Sequence, residues 1–218
     1  LRPWKADQLG GGYQVSSWAE RAGVLGADAV IAVSEGMARD IRAAYPDVDP
    51  ERIKVVHNGI DADEYHPDVP ADALARYGVD PQVPYAFFVG RITRQKGLSH
   101  LLRAGRDLPG QLVICASAPD TPEIAAETEQ LVSELQASRS GVIWIRETVT
   151  RADVIQLLAH ATVFVCPTVY EPLGLVNLRA MACSTTVVDT AVGAIAQVGD
   201  DRPTGHPSPP EPEGEARF

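Results

Sequence analysis

Six short apolar runs recur along this chain, each followed directly or after a loop by a segment of helical spacing. They are Ala29 to Val33 (AVIAV), Ile53 to Val56 (IKVV), Tyr85 to Val89 (YAFFV), Leu112 to Ala116 (LVICA), Val142 to Ile145 (VIWI) and Thr162 to Cys166 (TVFVC). A strand with one wet face alternates apolar and polar residues, whereas a near-continuous apolar run belongs to a strand covered on both faces. The intervening segments supply the covers. Helices are predicted over Tyr13 to Leu25, from the cap Ser34 to about Tyr45, over Ala71 to Tyr77, from Leu98 to about Asp107, and from Pro122 to about Gln136. Two more run from the cap Thr150 to about His160 and onward from Leu175. This β/α/β rhythm predicts an α/β fold built on parallel sheet.

Composition narrows the function classes. The 218 residues carry a formal net charge of −10, so a nucleic acid or anionic membrane surface is repelled by the whole-protein field, although a local basic pocket can still take an anionic nucleotide. Cys115, Cys166 and Cys183 sit singly in apolar segments without the spacing of a zinc site or disulfide framework, and are read as buried reduced thiols. No metal and no cofactor is expected. No apolar run reaches membrane-spanning length and the first residues lack the pattern of a signal peptide, so a soluble cytoplasmic protein is expected.

Chemistry concentrates in two stretches. In the first, the YAFFV strand runs into Gly90-Arg91-Ile92-Thr93-Arg94-Gln95-Lys96-Gly97 and then a helix, the order in which doubly wound sheets place anions at the carboxyl edge of their strands. Arg91 offers a forked guanidinium and Lys96 a mobile ammonium, a pair suited to a diphosphate, with Arg94 facing solvent. Such spacing alone is weak, because most surface Arg and Lys are merely solvated. The second stretch runs from Cys166 to Val188. Pro167 ends the TVFVC strand, Glu171-Pro172-Leu173-Gly174 cannot continue it, and Leu175, Leu178, Met181 and Ala182 recur at helical spacing. A turn presented at a helix N-terminus results, and such ends attract phosphates and hydroxyls. His57 reads as a packing residue, and His160 as a helix-end imidazole rather than a base.

YEPLGLVNLRAMAC resembles the donor-site motif of retaining glycosyltransferases of family 4, most closely that of the actinobacterial glycogen synthases within it. GRITRQKG resembles the diphosphate loop of the same family, Asn58-Gly59-Ile60-Asp61 its interdomain turn, and LRPWKADQLGGGYQVSSWAERAG an internal segment. The resemblance covers Leu1 to Gln197. It implies two Rossmann-like domains of GT-B type facing a cleft, both truncated. Residues 1–60 would end the acceptor-side domain, 61–70 form the hinge, 71–199 the incomplete donor domain, and 200–218 a disordered Pro/Gly-rich tail. The implied activity is transfer of glucose with retention from ADP-glucose or UDP-glucose to an α-1,4-glucan or glucose phosphate. Arg91, Lys96 and Glu171 would act in catalysis, joined in donor binding by Gly90, Leu173, Gly174, Leu175 and position 179. By the same resemblance Ile145 and Arg146 would border the nucleotide base. Lys5, Gln8 and Gly11 could belong to an acceptor loop, though Gly10, Gly11 and Gly12 read slightly better as a linker into the next helix.

Departures from the family pattern qualify this. Arg179 stands where relatives carry the second glutamate of a Glu, seven residues, Glu pattern, which binds ribose hydroxyls; a guanidinium accepts no hydrogen bond. Cys183-Ser184-Thr185 lacks the following glycine, and Gly193-Ala194-Ile195-Ala196-Gln197 only partly matches the family run. The chain is expected to lack the front of the first domain, including its glycine-rich loop and acceptor-side histidine, and the end of the second, with a tail that a shifted reading frame would explain. A rival expectation is therefore a catalytically impaired or inactive fragment. A nucleotide-sugar epimerase is a third reading, and fold alone does not separate it.

Overall fold

The computed structural model describes residues 11–190 and 205–208. Contacts divide the chain into two units, Leu1–Gly59 and Ile60–Phe218. In the first, helix α1 (Gly11–Gly26) precedes strand β1 (Val30–Ala32), helix α2 (Glu35–Ala44) and strand β2 (Ile53–Val55). β1 and β2 pair in parallel with Val30 opposite Ile53. Ser34 is fully buried and caps α2 as its spacing predicts, its hydroxyl accepting from the Met37 amide at 3.0 Å. Ala32, Ala38, Ile41, Tyr45, Val48 and Ile53 form the core of this unit. Gly11 and Gly12 are helical rather than part of a linker or acceptor loop, because α1 starts at Gly11. Glycines are cheapest at such an end, where the amides have no intrahelical partner. Lys5 and Gln8 lie outside the described residues, as do Gly10 and the Gly193 to Gln197 run.

The second unit contains helix α3 (Asp72–Arg76), strand β3 (Tyr85–Arg91), helix α4 (Leu98–Ala104), strand β4 (Gln111–Ser117), helix α5 (Pro122–Ser138) and strand β5 (Val142–Ile145). Helix α6 (Arg151–Ala159), strand β6 (Val163–Cys166), helix α7 (Leu175–Ala182), strand β7 (Thr186–Thr190) and strand β8 (Gly205–Ser208) complete it. All pairings are parallel, in the order β5-β4-β3-β6-β7-β8. Alternate residues of one strand feed two separate cores. Tyr85 and Phe87 of β3, with Val113 of β4, pack against Leu74, Leu157, Leu158 and Ala180 on α3, α6 and α7. Ala86 and Phe88, with Leu112 and Ile114, pack against Leu101, Leu102, Val132 and Leu135 on α4 and α5. Helices on both faces account for the absence of polar alternation.

Three boundaries differ from the sequence-based expectation. β3 continues through Gly90 and Arg91, which pair with Ala116 and Ser117, so the basic loop begins only after Arg91. α4 stops at Ala104, and Gly105–Asp107 tighten into a 3-10 turn where Gly105 lies close under Leu112 and Leu135. Gly205–Ser208, within the stretch expected to be structureless, extends the sheet edge beside β7 with Pro207 opposite Asp189. An edge strand tolerates proline because one side of its ladder needs no donor.

Asp153 braces α3 against α6. Its carboxylate accepts from Arg76 and from the Tyr77 hydroxyl at 3.0 Å, while its backbone amide donates to the Thr150 cap at 3.2 Å. Burial pushes the carboxyl up, but the hydrogen bonds from Arg76, Tyr77 and Thr150 outweigh it and hold it below the usual range. A depressed pKa stabilises above the unfolded value and is lost as pH falls through the folded one. Asp153→Asn is therefore expected to lose about 1–2 kcal/mol at pH 7 in urea unfolding, with the difference from the parent shrinking below about pH 4.

Candidate functional site

The chain fills the second sheet outward from β3, first through β4 and β5 on one side, then through β6 and β7 on the other. Connections from β3 and β6 therefore diverge at their carboxyl ends, and the crevice between them is where such sheets bind ligands. The two segments at this point are 92–97 and 167–174.

They are stitched together by polar contacts. Thr93 caps the first, its hydroxyl accepting from the Lys96 amide at 3.2 Å. The Gln95 carbonyl accepts from the Val169 amide at 2.9 Å and from the buried Thr168 hydroxyl at 2.7 Å, while the Gln95 side-chain amide donates to the Tyr170 carbonyl at 2.9 Å. Gly97 closes the junction. Its φ is +65°, and a Cβ there would stand 1.8 Å from the Pro167 carbonyl oxygen, so only glycine fits. The Lys96 stem packs over Gly90, its Cγ 3.8 Å from where a Gly90 side chain would begin.

These contacts bring Lys96 and Glu171 together. The Lys96 ammonium donates to Glu171 Oε2 at 2.7 Å, and Glu171 Oε1 accepts from the Gly174 amide at 3.4 Å. Both side chains are largely but not fully covered, at 23% and 14% exposure, so the pair is shielded yet reachable by a ligand. Gly174 starts α7 at φ +86° with no side-chain cap. Leu173 and Gly174 are buried and Leu175 half-buried. The result is an ammonium, a carboxylate and a helix N-terminus converging on the crevice, an arrangement suited to a ligand carrying both an anion and hydroxyls.

Other predicted positions fall elsewhere. Arg91, at the end of β3, is exposed and faces Asp120 Oδ1 at 3.7 Å. Arg94 is not simply solvated, because it pairs with Glu127 at 2.7 Å. Arg179 is neither a plain surface residue nor directed at an acid among the described residues. Its guanidinium lies 5.3 Å from the centroid of the Tyr65 ring, and its Nε is buried without a hydrogen-bond partner. His57 Nδ1 meets the Val33 carbonyl at 3.0 Å, and His160 Nε2 the Val69 and Pro70 carbonyls at 3.1 Å; both act as ties. Arg146 stacks at 3.9 Å over Trp144 and pairs with Glu129. It borders an open recess of about 520 Å³, lined also by Tyr77, Ile143, Ile145 and Glu147, at the carboxyl end of β5.

Sequence reasoning missed Gln95, Thr168 and the buried pair of Asn177 on α7 and Asp189 on β7, joined at 2.7 Å. An asparagine among apolar helix positions and an aspartate ending a buried strand were the available signals. Burial raises the thiols of Cys115 to about 11, Cys166 to about 12 and Cys183 to about 11, so all three are free, buried and protonated near neutrality. Among the described residues no group of three or more His, Cys, Asp or Glu side chains could hold a metal, and no helix is long and apolar enough to cross a membrane.

Comparison with known proteins bears on the family and the fold. The model of the glycosyl transferases group 1 matches residues 83–216, and that of Glycosyltransferase Family 4 matches residues 3–64. An α-maltose-1-phosphate synthase of Mycolicibacterium smegmatis is 56% identical over 210 residues, covering 94% of this chain and 54% of the relative. The chain thus spans about half the length of the curated relatives it matches. Among solved structures, sucrose-phosphate synthase from Thermosynechococcus elongatus superposes with a TM-score of 0.77 at 28% identity, over 91% of this chain and 49% of the other. Anabaena HepE in complex with UDP and glucose superposes with a TM-score of 0.78 at 21% identity, over 93% of this chain and 54% of the other, a likeness of fold.

Two measurements check the junction. Gly97→Ala is expected to lose roughly 2–4 kcal/mol in chemical denaturation through strain and clash, whereas Gly23→Ala, with open space around it in α1, gains up to about 1 kcal/mol. A double-mutant cycle of Lys96→Met and Glu171→Gln is expected to give a coupling of about 1–2 kcal/mol; additive losses would mean the pair is not formed in solution.

Proposed function

The chain belongs to the family 4 glycosyltransferases, and from that premise we propose that it transfers glucose with retention from a nucleoside-diphosphate glucose, ADP-glucose or UDP-glucose, to a glucose phosphate or α-1,4-glucan. The observation that carries this reading is the Lys96 to Glu171 pair at 2.7 Å beside the N-terminus of α7, at the crossing point of the sheet. Glucose phosphate is the favoured acceptor, because maltose 1-phosphate, the product named for the 56% identical relative, is a glucosyl unit joined to glucose 1-phosphate. On this reading the protein works in the cytoplasm, residues 1–60 face the acceptor, 61–70 form the hinge and 71–199 hold the donor.

The chemistry follows from where charge develops. The bond from the anomeric carbon to the diphosphate oxygen breaks, leaving an oxocarbenium-like sugar and growing negative charge on the leaving group. Lys96 and the first-turn amides near Gly174 and Leu175 stabilise that charge without a metal, and Arg91 adds a second cation from the end of β3. The Lys96 stem passes over Gly90 at ordinary contact distance, and buried Leu173 lies within the turn. Glu171 keeps lone pairs beyond those given to Lys96 and Gly174, and with them holds donor-sugar hydroxyls. The acceptor hydroxyl attacks the same face of the sugar and passes its proton to the departing diphosphate, so no protein nucleophile is required. The nucleotide base would lie by Ile145 and Arg146.

A second reading, an impaired nucleotide-sugar-binding chain, is favoured by one observation. Arg179 stands where the family pattern has its ribose-binding glutamate, and its guanidinium lies over Tyr65 and supplies no acceptor. Calorimetric titration with ADP-glucose and UDP-glucose separates the readings. The parent is expected to bind weakly, Arg179→Glu to gain about 2 kcal/mol or more, and Lys96→Ala to abolish binding in either background. Absence of binding in both the parent and Arg179→Glu would sink the donor-site reading.

A further inference from the structure

Asn177 and Asp189 form a buried pair joined by a single hydrogen bond. Both are nearly inaccessible, at 1% and 3% exposure, and they share one hydrogen bond, Asn177 Nδ2 donating to Asp189 Oδ2 at 2.7 Å. Among the described residues Asn177 Oδ1 and Asp189 Oδ1 are both buried acceptors without a partner. Two orphaned oxygens on the two members of one pair are costly, and a single donor between them would satisfy both. Among the described residues no other group hydrogen-bonds either oxygen. On β6 the register neighbour of Asp189 is Cys166, whose protonated thiol is only a weak donor, and on β8 it is Pro207, with His206 opposite Val188 in the register. Lys96 and Glu171 act on Cys166 from the neighbouring loops but are spent on each other, and Arg179, further along α7, is turned to Tyr65.

We propose that Asp189, in its protonated carboxylic acid form, donates to Asn177 Oδ1 and closes a two-hydrogen-bond acid–amide pair that positions the turn bearing Glu171. The proton resolves both orphans at once, with the amide donating to one carboxyl oxygen and the other carboxyl oxygen donating to the amide carbonyl. The link to the turn is the nearness of Asn177 to its backbone. The Asn177 amide nitrogen lies 3.5 Å from where a Gly174 side chain would begin, and the Gly174 amide donates to Glu171. Beside it, the Thr190 hydroxyl donates to the carbonyl of Thr168, which in turn holds Gln95. Asp189 is thus a positioning residue. Burial raises its carboxyl to about 6 against the opposing effect of the Asn177 hydrogen bond, in keeping with this assignment. With the folded pKa above the unfolded one, the stabilisation is complete below about pH 4 and is lost as pH rises through about 6.

Asp189→Asn supplies the test, because an amide opposite Asn177 makes both hydrogen bonds at every pH. Thermal unfolding of the full chain and of Asp189→Asn is compared from pH 5 to pH 8, the difference cancelling the common titration of the histidines. The parent is expected to lose about 3–6 °C relative to the variant over that range, with the variant the more stable at pH 8. Parallel profiles, or a variant less stable at pH 8, overturn the proposal. If the variant does not fold, a carbon-13 titration of aspartate carboxyls in the parent decides: one carboxyl with a midpoint near 6, shifted in Asn177→Ala, supports the pair, and all midpoints near 4 refute it. The consequence for donor affinity, a roughly three- to tenfold weakening from pH 5.5 to pH 8 in the parent alone, rests on the proposed donor site. Failure of the donor to bind at any pH would remove that reading while leaving the stability result to decide the pair.

Discussion

The contact that the site depends on is the approach of Gly97 to the carbonyl of Pro167. A side chain at position 97 would overlap that oxygen, and the backbone there is left-handed, so the junction exists only because residue 97 has no Cβ. This closeness lets the Gln95 carbonyl serve both the Val169 amide and the Thr168 hydroxyl, and it brings the Lys96 stem over Gly90 toward Glu171. Two loops, 75 residues apart at their charged ends, become one surface. Neither loop could hold its charged residue alone, because a free lysine or glutamate loses rotamer entropy on being fixed.

Electrostatics in the site are local against an acidic background. The chain carries a formal charge of −10, yet the crevice at β3 and β6 holds Lys96 and the α7 N-terminus, while Arg91 at the end of β3 turns to Asp120. Glu171 and Asp120 each pair with one of these cations, so the unliganded site is close to neutral and its cations are held in place. An entering diphosphate would share the cations with these carboxylates. A lysine with three donors can bridge a carboxylate and a phosphate, whereas Arg179, lying on an aromatic ring, has no comparable role in the observed geometry.

Polar groups beneath the turn carry a second layer of control. Asn177 and Asp189 lie where apolar side chains would pack without penalty, and a buried polar pair persists only when its hydrogen bonds are complete. Their position under Gly174 couples the protonation of one carboxyl to the geometry of another, Glu171, through a helix start that carries no side-chain cap.

Much of the fold was legible in the sequence. The apolar runs located β1 to β6, and Ser34, Thr150 and the Pro122 helix start were readable because caps are chosen by hydrogen bonds within three residues. The Glu171 turn, the basic loop and their family were likewise readable, since motif residues lie close together in the chain. Pairing across the sheet was not. That β3 extends through Arg91, that Arg91 meets Asp120, that Gln95 stitches two loops and that Asn177 finds Asp189 are facts of register and crossover, set by strands distant in sequence. The sequence by itself determined an α/β chain with a basic loop after one strand and a turn before a helix after another, because periodicity, capping and turn chemistry are local, while its family was read from the resemblance of those motifs. Only the tertiary structure decided which charges meet and which buried acid is set against an amide, because those depend on distances between residues that the chain alone leaves far apart.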